Sequence, residues 1–214
     1  MTMFVAYLQN GLMNKHFVSK TLVLAVCLCL SGSWAMAEES PQSVVQTGTD
    51  QVLQVLKQYP QDTRASREKI RAAVNGYFDF EAMARLAVGP KWNKVPPEKQ
   101  QEFTQEFSRL LFDTYIGDIE KYAGQRIAYN TKSVAPGYTV VEAIVQDQGG
   151  PVSLDYSLHQ KDGNWKVYDV AVKGMSLAIN YRSQFDTILA NGSFDDLLTA
   201  VRQKITQVCK TSRC

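Results

Sequence analysis

Apolar positions along this chain change their period once, and the change divides it. Between residues 42 and 59 they fall at Val45, Val52, Val55, Leu56 and Tyr59, close to the 3.6-residue repeat of a one-sided helix, which Pro60 stops. Ile70, Val74, Tyr77 and Phe78 mark a second, short helix. Asp79 is placed to cap a third, Phe80 to Val88, with Met83, Leu86 and Ala87 inward and Gly89-Pro90 as its end. Pro96-Pro97 opens a long helix at the position where a missing N–H costs nothing. Its stripe is Phe103, Phe107, Leu111, Tyr115, Ile119 and Tyr122, widened by Leu110, Phe112 and Ile116, and Gly124 ends it near Ala123.

The period then drops to two. Residues 125–135, 138–147, 151–160 and 164–173 read as strands joined by Pro136-Gly137, Gln148-Gly149-Gly150 and Lys161-Asp162-Gly163-Asn164. Short Gly-bearing turns predict hairpins, hence an antiparallel meander. Val152, Leu154, Tyr156 and Leu158 share one face of the third strand, and Ser153, Asp155 and Ser157 the other, so the sheet has one greasy side. The same alternation places His159 on the solvent side. Ser176 opens another helix with Leu177, Tyr181, Phe185, Ile188 and Leu189 inward. After Asn191-Gly192, Ser193 caps the last one, whose face is Leu197, Leu198, Val201, Ile205 and Val208. Helices, meander, helices predict an α+β fold: a curved antiparallel sheet of about four strands with helices packed on one face.

The first 37 residues follow a different rule. Lys15 and Lys20 precede an apolar run of ten, Thr21 to Leu30, and Ala35-Met36-Ala37 supplies small residues at the outer positions of a cleavage site. This is the layout of a secretory signal peptide, and ten apolar residues are too few to span a bilayer. Cleavage after Ala37 is expected, with residues 38–214 as a single exported domain; Met13 is an alternative start.

Export changes the charge and the chemistry. The full chain of 214 residues carries 23 Lys+Arg against 21 Asp+Glu. Without Lys15 and Lys20 the remainder is balanced, which gives no field to draw it to nucleic acid or to an anionic surface. Cys209 and Cys214 are the cysteines left, and two so close together in an exported chain read as a disulfide that pins the tail. His159 is the one histidine left, so a His-dependent enzyme must use it, and no ligand set for a metal is recognisable. Asp79 and Glu81 read as a helix cap and a first-turn acid, and Asp169 as a buried structural carboxylate. Phosphate-binding glycine motifs are missing, so the balance favours binding over catalysis.

Particular runs of residues go further. Phe78-Asp79-Phe80-Glu81-Ala82-Met83-Ala84-Arg85, then Val88-Gly89 and Trp92, lead into Phe103, Phe107, Leu110 and Tyr115. Trp165-Lys166-Val167-Tyr168-Asp169-Val170, Gly174-Met175-Ser176-Leu177 and Asn180-Tyr181-Arg182-Ser183-Gln184-Phe185 follow. Across residues 38–214 this pattern resembles the toluene-tolerance family of MlaC-type periplasmic phospholipid carriers. The resemblance implies a sheet and helices enclosing an apolar pocket for lipid tails, no catalysis, and no cofactor beyond phospholipid as cargo. It also implies work between an outer-membrane lipoprotein complex and an inner-membrane ABC transporter complex, keeping the outer membrane asymmetric. A monomer is expected.

Within that frame the pocket candidates come from the sheet's apolar face and the helices opposite: Phe107, Leu110, Leu154, Tyr156, Val170, Met175, Ile179 and Phe185. The competing reading is a periplasmic enzyme of nuclear-transport-factor-like fold using Asp169 or His159 inside the cavity.

Overall fold

The computed structural model describes residues 39–60, 63–122, 125–147 and 149–212. The expected signal segment, residues 1–37, lies outside them. Helix α1 (Pro41–Gln58) starts at Ser40, whose Oγ accepts the Ser43 amide at 3.1 Å. Helix α2 (Thr63–Tyr77) is longer than its apolar positions indicate. Its first turns carry Arg64 and Arg67 in ion pairs instead of core residues, so no stripe announces them. Phe78 leaves the helix and bridges Val167 of the sheet. The Asp79 amide donates to the Val167 carbonyl at 2.8 Å, and Asp79 Oδ1 accepts the Ala82 amide at 3.0 Å. The cap of α3 (Phe80–Val88) is thereby also its tether to the sheet.

A 3-10 turn, Gly89–Lys94, leads to α4 (Pro97–Ile119), and a second, Glu120–Tyr122, follows it. The strands are β1 (Ile127–Ala135), β2 (Tyr138–Asp147), β3 (Gly150–Lys161) and β4 (Asn164–Val172), each antiparallel to its chain neighbour. A fifth, β5 (Met175–Ser176), pairs with β4; two residues leave no periodicity to read. The turn glycines Gly137 and Gly163 sit at φ 74° and 76°, where a side chain is strained. Helices α5 (Leu177–Asn191) and α6 (Phe194–Ser212) complete the fold. At the start of α6, Asp196 Oδ2 accepts the Ser193 amide at 2.7 Å while Ser193 Oγ accepts the Asp196 amide at 3.2 Å, a reciprocal cap.

Register sets the sheet's greasy face. Val141, Ala143 and Val145 of β2 stand opposite Tyr156, Leu154 and Val152 of β3. Between β3 and β4 the pairing slips: Ser157 faces Asp169 but Leu158 faces Val167, so Tyr168 is the extra residue of a bulge.

Two apolar cores result. One unites α1 with β2, β3 and β4 through Val44, Val45, Val141, Leu158 and Val167. The other is helical and joins α3, α4, α5 and α6. Its outer seam is ionic: Lys99 meets Asp195 at 2.5 Å, and Arg202 binds both Glu102 and Glu106. Among the described residues, no helix is long and apolar enough to cross a membrane.

Candidate functional site

Helix α4 has more apolar surface than one core can cover. Phe103, Phe107 and Leu110 turn to the helical core and are at most 1% exposed. Phe107 lies edge-on to Tyr181 and Phe185, ring centres 5.3 and 5.6 Å away. The next turns, with Leu111, Phe112, Tyr115 and Ile119, face the sheet across a gap.

That gap is an apolar cavity of about 470 Å³, the outer chamber. Leu154 and Tyr156 of β3 and Val170 and Val172 of β4 form its far wall, and Met175 and Leu177 close one end. A second cavity of about 170 Å³, the inner chamber, lies between α1 and β2. Five residues, Val74, Phe78, Ile119, Leu154 and Tyr156, line both and form a shared partition. Ion pairs fix the spacing of the walls: Arg67 forks onto Glu120 at 2.7 and 2.9 Å, and Arg71 reaches buried Asp113 at 2.7 Å, pinning α2 to the far half of α4.

Polar groups sit unevenly around this space. Lys173, Asn180 and Asp118 border the outer chamber. Met175 beside them is 61% exposed. Lys173 and Gly174 both adopt positive φ, 51° and 80°, in the tight β4–β5 turn, which is what brings the lysine to the rim. Deeper in, burial pushes the Tyr156 hydroxyl up to about 12, with nearby Tyr129 adding to the shift. Burial raises Tyr115 too, so both phenols keep their protons and the lining stays neutral.

The sequence-derived candidates divide. Leu154, Tyr156, Val170 and Met175 come together around the outer chamber. Phe107, Leu110 and Phe185 are instead packed in the helical core, because their side of α4 and α5 is covered by other helices and never meets the sheet. Ile179 is 46% exposed and lines neither chamber among the described residues. The readings missed Val74, Phe78, Phe112 and Leu177. The signal for Phe112 was present in the double width of the α4 stripe, which calls for two partners.

The catalytic candidates are tied up elsewhere. Asp169 Oδ1 accepts the Ala178 amide at 3.1 Å, and its Oδ2 binds the Ser176 hydroxyl, so it caps α5. His159 is not a free surface residue: its side chain is 18% exposed, Nε2 lies 3.1 Å from Asp79 Oδ2, and its ring lies against Tyr138 and Tyr168. The bulge at Tyr168 and the Asp79 tether cover a face that alternation alone assigns to water. Neither His159 nor Asp169 is among the described residues lining a chamber. No cluster of His, Cys, Asp and Glu fit to hold a metal occurs among the described residues. A groove of about 540 Å³ between α4 and α6 is lined by Glu106, Arg109, Arg202 and Lys210 and is too charged for an apolar ligand. Cys209 is disulfide-bonded, and Cys214, its expected partner, lies outside the described residues.

Known proteins resemble this chain in sequence and fold. A toluene tolerance protein of Pseudomonas putida is 26% identical over 178 residues, 79% of this chain and 83% of that protein. An intermembrane phospholipid transport system binding protein of Haemophilus influenzae is 24% identical over 205 residues, 91% of this chain and 95% of its own length. The solved structure of a phospholipid-binding protein from Ralstonia solanacearum, in complex with a phospholipid, is similar at a TM-score of 0.72 and 30% identity, covering 79% of this chain and 99% of that one. The family profile described as MlaC protein matches residues 46–203, from within α1 to within α6, and so takes in the whole lining of the outer chamber and that of the inner chamber beyond Val44 and Val45. By that match the chain belongs to the MlaC family.

Proposed function

We propose that this protein is a periplasmic phospholipid carrier that shuttles lipid between the outer and inner membranes and so maintains the lipid asymmetry of the outer membrane. The observation that carries the reading is the outer chamber: about 470 Å³ of apolar space with its charged and amide groups confined to the rim. An apolar space left empty forgoes ~24 cal/mol per Å³. Such a space is built to be filled.

The cargo's physics fits. Two acyl tails hold about 30 methylenes, and at ~0.8 kcal/mol each about 24 kcal/mol separates tails in water from tails in hydrocarbon. A carrier must therefore cover the tails completely, yet a cavity that only equals the bilayer as a solvent can hand them back. Lys173 at the rim meets the head-group phosphate, and the neutral lining holds the tails. The balanced charge of residues 38–214 favours release from anionic membranes. An outer-membrane lipoprotein complex supplies the lipid or receives it, and an inner-membrane ABC transporter complex stands at the other end. The protein works as a monomer without a cofactor and is not an enzyme; capped Asp169 and tethered His159 support that reading. It reaches the periplasm through cleavage of residues 1–37, and Glu38–Cys214 forms a compact unit by itself.

Organic extraction of protein purified without detergent tests this. About one phospholipid per chain is expected. A protein that emerges empty, and stays empty after incubation with phospholipid vesicles, overturns the assignment.

A further inference from the structure

The two chambers differ in a way that bears on which lipid is held, an inference that rests on the phospholipid reading above. Charged and amide side chains border the outer chamber only. In the inner chamber Thr49 donates its hydroxyl to the Val45 carbonyl at 2.8 Å, which withdraws it from the space. A lipid with its head group at Lys173 therefore points its tails at the partition. Whatever crosses the partition ends against a floor made by Val44, Val45 and Gly48 of α1 with Ala143 and Val145 of β2.

This floor is packed from behind and cannot recede. Its four side-chain-bearing members are at most 5% exposed. A methyl carbon on Gly48 would stand 3.1 Å from the Tyr77 ring, so α1 and α2 are already at contact there. Strand β2 is hydrogen-bonded on both sides, to β1 and β3, and has no freedom to bow outward. None of the five floor residues touches the outer chamber.

We propose that the inner chamber is an acyl-chain length gauge. It receives the terminal methylenes of one tail of a diacyl phospholipid, and its fixed floor sets how long that tail can be. A methylene that fits exchanges bilayer for cavity at no net gain; one that meets the floor has to stay outside apolar surroundings. Each excess methylene is expected to lower uptake about fourfold relative to a tail that fits.

The experiment is a competition. Purified protein is incubated with vesicles holding equal amounts of saturated phosphatidylglycerols graded from dilauroyl to diarachidoyl, and the lipid it takes is read by native mass spectrometry. The wild-type profile is expected to stay level up to one tail length and fall steeply beyond it. Ala143→Leu and Ala143→Phe, which add bulk to the inner chamber's floor, are expected to move that fall to shorter tails. A wild-type profile with no fall at long tails overturns the gauge, whether or not the variants fold. A fall that stays at the same tail length in folded variants overturns it too. A wild-type protein that takes no lipid of any length overturns the carrier reading itself.

Discussion

Asp169 holds Ala178 by its backbone: the carboxylate on β4 accepts the Ala178 amide at 3.1 Å, across the turn that carries Lys173. One acid thus fixes the angle at which α5 leaves the sheet, and with it the end of the outer chamber formed by Met175 and Leu177. Asp169→Ala leaves the Ala178 amide and Ser176 hydroxyl without their acceptor and is expected to cost ~1–3 kcal/mol. Asp169→Asn keeps the Oδ1 acceptor and is expected to cost less. Denaturant midpoints of both variants check this, and an unchanged midpoint for the alanine variant refutes it.

Asp79 gives the fold an acid limit. Burial by itself pushes its carboxyl up, but the Ala82 amide, Lys161 at 3.0 Å and His159 at 3.1 Å outweigh burial and hold it below its ordinary 3.8. A group depressed in the folded state contributes stability above its unfolded pKa and loses it as pH falls through the folded value. Stability is therefore expected to decline as pH drops below about 4, and Asp79→Asn is expected to remove that component of the decline. Thermal melts of both proteins from neutral pH downward make the comparison.

Phe107 and Val170 separate core from cavity. Phe107→Ala empties a closed core and is expected to cost ~3–5 kcal/mol. Val170→Trp projects into the outer chamber, where a packed core would lose ~1–3 kcal/mol or more to overpacking. Here the indole is expected to occupy the space of a tail and give folded protein without lipid. Melting curves and extracted lipid per chain, measured on both variants, decide it. A tryptophan variant that unfolds or keeps its lipid removes Val170 from the cavity wall.

The tail should be expendable for binding. Reduction of Cys209 and Cys214 is expected to add two hydrogens to the intact mass. A loop this short stabilises by about 2 kcal/mol in the chain-entropy view. Cys214→Ser is expected to retain its full load of lipid, since Cys209 packs on the helical core and not on a chamber. Two thiols labelled under denaturing, non-reducing conditions rule the bridge out.

Reading outcomes differ along the chain for physical reasons. Elements with one apolar side and a marked end were legible: Asp79, Ser176 and Ser193 cap the helices expected of them, and the hairpin turns fall where glycine was seen. The first turns of α2 were not, because Arg67 belongs there for Glu120 and a residue whose partner is 53 positions away leaves no periodic trace. The site was half legible. Alternation in β3 and β4 identified Leu154, Tyr156 and Val170, since a sheet has only two faces. On α4 the stripe is continuous around Phe107, Leu111 and Phe112, and its period cannot say which part meets a helix and which a gap. His159 stands on the face that alternation assigns to it, but Asp79, 80 positions away, meets it there and takes most of it out of solvent, and so distant a partner leaves no trace in the pattern.

The order of the sheet, each strand beside its neighbour in the chain, has a kinetic consequence. Hairpins β1–β2, β2–β3 and β3–β4 close over turns of a few residues, so the sheet is assembled from local contacts of the kind that form quickly. The contacts that complete the helical core are distant, as between Lys99 and Asp195 or between Glu102 and Arg202. A chain arriving with its N-terminus first can thus raise the sheet before α6 exists to meet α4. The side of α4 that belongs to the helical core waits uncovered in that interval and is among the last apolar surfaces of the fold to close.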